Sequence, residues 1–318
     1  MSGTYTIFRK ELADHFSSYR FIILFVMITM ISLIIAYMVG QGIRKELEGI
    51  AKPGFVFLML FTSSGALFSL VQFVAFFGPL IGLVIGFDSI NRERGDGTLS
   101  KLVSQPIYRD AVINGKFLAG VATITIMLTS IILMITGLGL KIVGVVPGME
   151  EIWRIFIYLI LSIVYVSFWL GLSILSSILF RSIATSALAA VAVWIFFSFF
   201  VSIGASVIAD AMIPIDAGSD PEIHARHAEI QRAISIISPM ALYSDATSAI
   251  IDPMKRTTRT LVLMGPLEKL SLSRFQGPLP LMQSILLVLP YITMIIAITL
   301  VCFAVSYMVF MKQEIRSV

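Results

Sequence analysis

The sequence is poor in charge and in cysteine. Charged residues are 13% of its 318 positions, against about 25% in a soluble domain. Too few polar side chains exist to cover a water-soluble globule. Cys302 is the only cysteine, so an intrachain disulfide framework is excluded. Motifs of nucleotide and hydrolytic chemistry are missing too. The phosphate loop G-x-x-x-x-G-K-[ST] does not occur: Gly115-Lys116 is followed by Phe117, and Asp110 stands where the first glycine belongs. Neither H-E-x-x-H nor G-x-S-x-G appears. The chain therefore reads as neither an ATPase nor another enzyme. What it has instead is apolar mass, with 58% hydrophobic residues and a mean hydropathy of +0.95, which excludes disorder. The net charge of +4 suits Lys and Arg holding the cytoplasmic side of a membrane protein, and no nucleic-acid partner is expected.

A membrane span needs about 20 mostly apolar residues in a helix, because only there does the backbone satisfy itself in hydrocarbon. The charge-free intervals predict six: Phe21 to Val39, about Ala66 to Phe87, Phe117 to Leu140, Ile155 to Phe180, Ser182 to Ile208, and Pro280 to Met311. Phe55 to Gly65 reads as an outer or interfacial approach to the second span. The last span is expected to open with a short re-entrant or tilted piece before Pro290. Before the first span, Phe8, Leu12, Phe16 and Tyr19 recur at helical spacing, which predicts an interfacial amphipathic helix over residues 1–20. Lys and Arg crowd the N-terminal stretch, the loop from Arg92 to Lys116 and the C-terminal tail, so both termini should be cytoplasmic in the plasma membrane. Residues 209–279 then form a large extracytoplasmic loop, and residues 280–318 the last span with its cytoplasmic tail. The fold class is an all-α membrane protein, one transmembrane domain over 1–318.

The loop between the second and third spans carries the most information. Gly95 and Gly97 break the helix leaving the membrane, and Thr98 can cap a new short one. In that piece Leu99, Leu102 and Val103 fall at i, i+3 and i+4, giving one apolar face, and Pro106 stops it. Asp110 is expected to cap the helix leading into the third span. The product is a stubby cytoplasmic helix whose apolar face needs a partner.

Other features are weaker. Gly78, Gly82 and Gly86 repeat every four residues on the second span, a small-residue ridge for close packing, within one subunit or at a dimer contact. His224 and His227 stand at i, i+3 and could place two imidazoles on one helix face for a metal, yet no third ligand accompanies them, so no metal is expected. The spans hold almost no ionisable residues, which leaves a proton or sodium relay without carriers. Energy must come from elsewhere.

The pattern Phe87-Asp88, Glu93-Arg94-Gly95, Gly97-Thr98-Leu99, Leu102, Gln105-Pro106, Arg109 and Gly115-Lys116-Phe117 resembles the permeases of type-2 ATP-binding-cassette exporters. With Arg9-Lys10-Glu11-Leu12, Gly78-Pro79-Leu80-Ile81-Gly82 and Ser238-Pro239, it is most similar to the branch of multicopper-enzyme maturation, which includes the copper-processing permease of nitrous-oxide reductase. The long loop before the last span departs from that branch and holds no obvious copper motif. The resemblance implies a half-transporter that pairs with a second copy and is driven by separate ATPase subunits. ATP and Mg would sit on those subunits, with no cofactor on this chain. Glu93, Gly97, Thr98, Leu99, Leu102, Val103, Pro106 and Arg109 would couple to them. A hydrophobic or amphipathic substrate, lipid-like or peptide, is expected. Two alternatives stand: a mechanotransmitter passing motion to an extracytoplasmic protein at residues 209–279, and a membrane scaffold with no ATPase.

Overall fold

A computed structural model describes residues 3–47, 54–63, 69–98, 108–214, 221–254 and 277–312. Among these every regular element is helical. In chain order they are α1 Gly3–Ser17, α2 Tyr19–Glu46, α3 Val56–Thr62, α4 Leu70–Gly86, α5 Asn91–Gly95, α6 Arg109–Val143, α7 Met149–Leu179, α8 Ile183–Ile195, a π-helical stretch Phe196–Phe200, α9 Val201–Met212, α10 Pro221–Ser235, α11 Pro239–Ile251 and α12 Leu281–Lys312. Six are long and apolar enough to cross a membrane, counting α4–α5 and α8–α9 as one each. They match the six intervals read from the sequence.

The second span begins at Leu70 rather than Ala66, and local chemistry fixes the start. The Gln72 amide donates to Ser69 Oγ at 3.2 Å, and the Ser69 amide donates back to Gln72 Oε1 at 3.0 Å, a reciprocal cap that satisfies two orphan donors. The short α3 before it is packed inward, with Val56, Phe57, Leu58, Leu60 and Phe61 buried. Two further expectations are corrected. Asp110 does not cap the third span: the cap position is Tyr108, and Asp110 lies in the first turn of α6, where a carboxylate also suits the positive end of the helix. The last span has no separate opening piece. α12 runs unbroken through Pro290, since one missing amide is tolerated in a span whose neighbours compensate.

α7 is the central post. It packs against α4, α12, α6 and α11, and Tyr158, Tyr165, Trp169 and Ile178 on it are fully buried. The glycine ridge of α4 faces this post. A Cβ built on Gly82 would lie 2.6 Å from the Val166 carbonyl oxygen and 2.7 Å from the Leu170 nitrogen, so only glycine permits the approach. Gly78 and Gly86 continue the contact beside Val166 and Ser173.

The segment expected as one loop holds two helices. α10 and α11 meet at 116°. Ser238, at the bend, donates to the Phe197 carbonyl at 2.8 Å, halfway along the fifth span. From there α11 returns, burying Leu242, Tyr243, Ala246, Ala249 and Ile250 against α7 and α12. The pair thus dips into the bundle and comes back. Sequence reading missed it because its apolar stretch is too short for a span. By contrast, only 6% of the most apolar stretch of the fifth span is buried within the chain.

Candidate coupling site at the α1 end

α5 follows α4 after a four-residue break and ends the second span at Gly95. Gly97 then takes a left-handed conformation at φ 65°, one that glycine adopts without steric cost. Thr98 Oγ1 donates back to the Glu93 carbonyl at 3.2 Å. The connector to α6 starts here, with Arg109 as the first residue of that helix. Leu99, Leu102 and Val103, the expected apolar face, and Pro106, expected to end it, lie outside the described residues.

The base of the second span is tied to its neighbours. Ser177 Oγ accepts from the Ile90 and Asn91 amides at 3.0 and 3.1 Å. Ser173 and Ser186 donate to the carbonyls of Leu83 and Phe87, each at 2.8 Å. Arg20, at the start of α2, reaches Asp88 at 2.8 Å. Between α1 and this base lies an open cleft of about 630 Å³ lined by residues of both signs, among them Asp14, His15, Arg20, Asp88, Arg92 and Asp96.

Glu93 does not point away to a partner. Its side chain turns inward to a group of four charges made with Lys10 and Glu11 of α1 and Lys116 of α6. Lys116 is 4% exposed. Burial pushes the Glu11 carboxyl up, but the Lys116 and Lys10 ammonium groups outweigh it and hold it below the usual carboxylate range. The same contacts act on Lys10: burial lowers it, and the Glu11 and Glu93 carboxylates raise it well above an ordinary lysine. Burial depresses His15, on the same helix, with Glu11 pulling weakly the other way. Sequence reading counted Lys10 and Lys116 as topogenic charges and as parts of the family pattern, without pairing them. The one signal was Lys116 sitting between Gly115 and Phe117 at the head of an apolar run.

At the opposite end, Arg154 on α7 is fully buried. Its guanidinium donates to Glu150 Oε1 at 2.8 Å, to the Ile250 carbonyl at 2.8 Å, to Ser284 Oγ at 3.2 Å and to the Leu279 carbonyl. One side chain so joins α7, the end of α11 and the start of α12. The neighbouring Glu151 accepts from the Phe57 amide at 3.0 Å and the Gly148 amide at 2.7 Å. His224 and His227 both lie on α10, where His227 Nε2 bonds Asp210 Oδ1 at 2.7 Å and so ties α10 to the end of α9. Among the described residues no three His, Cys, Asp or Glu side chains gather to hold a metal.

Six apolar helices over buried polar ties define a multi-pass membrane protein. The family model of ABC-2 family transporter proteins matches residues 5–315, nearly the whole chain, and the chain belongs to that family. It is a membrane transport component of the kind that works with ABC ATPase subunits. A comparison with curated proteins finds no match.

Proposed function

We propose that this chain is the permease subunit of an ATP-driven exporter of hydrophobic or amphipathic molecules, lipid-like or peptide, in the plasma membrane. Both termini and the Gly97-to-Arg109 connector face the cytoplasm, where separate ATPase subunits hold ATP and Mg. A second copy completes the pathway, with spans two and five lining it. The observation that carries this reading is how the connector is mounted. It leaves a glycine turn directly after α5, and α5 is fastened by polar contacts to α1, α6 and α7, so force that reaches Thr98 passes to three other helices. The exposed apolar flank of α8 and α9 suits a second copy or an apolar substrate. The low ionisable content of the spans argues for a greasy cargo over a hydrated ion.

Leu99→Glu or Leu102→Glu puts a charge on the apolar face of the connector. ATPase subunits should then fail to co-purify, and stimulation of ATP hydrolysis should be lost, while the membrane part stays folded. A variant that keeps its ATPase would overturn the interface. Recovery of the wild-type chain from native membranes without any nucleotide-binding subunit would favour the scaffold reading.

The mechanotransmitter reading draws on a different observation. Arg154, bonded to the Ile250 carbonyl, and Ser162, 2.8 Å from the Tyr243 hydroxyl, join α11 to the central post, as a device gripping an extracytoplasmic protein would require. The similarity to the multicopper-maturation branch points the same way. Deleting residues 255–276 separates the two: a transmitter loses its partner, and an exporter keeps transport.

A further inference from the structure

We propose that α1 is a working part of the coupling path, not a passive surface anchor, and that Glu11 and Lys116 are the positioning residues that make it so. The inference rests on the coupling reading above. Lys116 Nζ lies 2.8 Å from Glu11 Oε1 and 3.0 Å from Glu93 Oε1. Lys10 Nζ lies 3.0 Å and 3.2 Å from the same two oxygens. Charges of opposite sign alternate around a square whose sum is zero. Both glutamates and Lys116 are less than 10% exposed, so removing one corner leaves a buried charge uncompensated, the costly case for an internal ion pair.

An anchor needs none of this. It would turn its charges to headgroups and water, whereas α1 turns Glu11 inward. Beside the square, Ile7 fills the place where Gly115 has no side chain: a Cβ there would sit 2.8 Å from the Cβ of Ile7. Apolar contact thus holds α1 on α6, and charge holds it on α5. α5 is the last element before the Gly97 turn. Displacement of the connector pulls on Glu93, and through the two lysines on α1 and α6 together. One residue beyond α1, Ser18 leads into α2, so the square brings span one into a motion the chain alone would deliver only to spans two and three.

The test uses the permease–ATPase complex in lipid nanodiscs, in a Cys302→Ala background with Met212→Cys as reporter at the far end of α9, where Met212 is 64% exposed. Two quantities are read: ATP hydrolysis, and the change in maleimide labelling on adding ATP with vanadate. Glu11→Gln and Lys116→Gln should each leave an assembled complex that hydrolyses ATP but loses the nucleotide-dependent change in labelling. Lys10→Gln, at the half-exposed corner, should lose it in part. Inverting all four corners (Lys10→Glu, Glu11→Lys, Glu93→Lys, Lys116→Glu) restores the alternation and should restore the response. If Glu11→Gln keeps the full response, or if hydrolysis, assembly and labelling fall together without rescue, the role is structural and the proposal fails. A Leu99→Glu complex that still assembles and responds strikes the coupling reading itself, whatever the square does.

Discussion

Arg154 has given up all its water, and the partners that replaced it lie on another turn of α7, on α11, on α12 and just before α12. That makes its loss more than a lost attraction. Removing one partner of a buried ionic group costs about 3–5 kcal/mol, because what stays behind is unsatisfied. Arg154→Met would keep much of the volume and strand the carbonyls of Ile250 and Leu279 together with Glu150. The expected outcome is a destabilisation of that order, read as a lower unfolding midpoint in nanodiscs, with protease cleavage appearing first near Asp252. Glu150→Gln, which leaves the fully buried guanidinium with carbonyl and hydroxyl acceptors but no counter-charge, should destabilise the protein as well.

At the scale of the helix, α1 has a pH signature of its own. Glu11 has a lowered folded value, so its contribution is complete above the ordinary glutamate value of about 4.3 and is lost only as pH falls through the folded one. Lys10, raised, contributes fully below about 10.4 and loses this as pH climbs through its folded value. His15 is depressed, so the folded form prefers it neutral, and docking of α1 weakens as pH drops below about 6.5. Acidifying from pH about 7.5 to about 5.5 should therefore loosen α1 through His15 alone. The protection factors of α1 amides, with the intrinsic pH dependence of exchange divided out, should fall over that interval in the wild type and stay level in His15→Asn. This helix was legible in the sequence as an amphipathic element, and so were all six spans, because both follow from apolar periodicity and length. Its inward charges were not, since a lone helix pattern cannot tell whether Glu11 meets water or a lysine 105 positions away. The same limit hid the α10–α11 hairpin: its apolar residues are ordinary for a surface helix until α7 and α12 close on them. Gly97 and Glu93 could be singled out from the loop motif as coupling residues, but the ion pairs of Glu93 with Lys10 and Lys116 could not.

For the molecule as a whole, the uneven distribution of burial decides where motion and partners belong. The post formed by α4 and α7 approaches too closely at Gly82 to slide. The fifth span, by contrast, touches little of its own chain. With a second copy on that side, Ile203→Cys in a Cys302→Ala background should cross-link between copies under mild oxidation, as its side is 58% exposed. Leu300→Cys on α12, equally open at 62%, should stay monomeric. The reverse result would place the dimer contact on the last span.

The buried square also sets how the protein answers to ionic strength. In 1 M salt the screening length falls to about 3 Å, and exposed pairs lose most of their attraction. Arg20–Asp88, with the arginine 56% exposed, belongs to that class. Lys116 and its two glutamates, shut away from mobile ions, do not. A concentrated salt wash should consequently open the Arg20–Asp88 pair and leave α1 where it is, still protected from proteolysis.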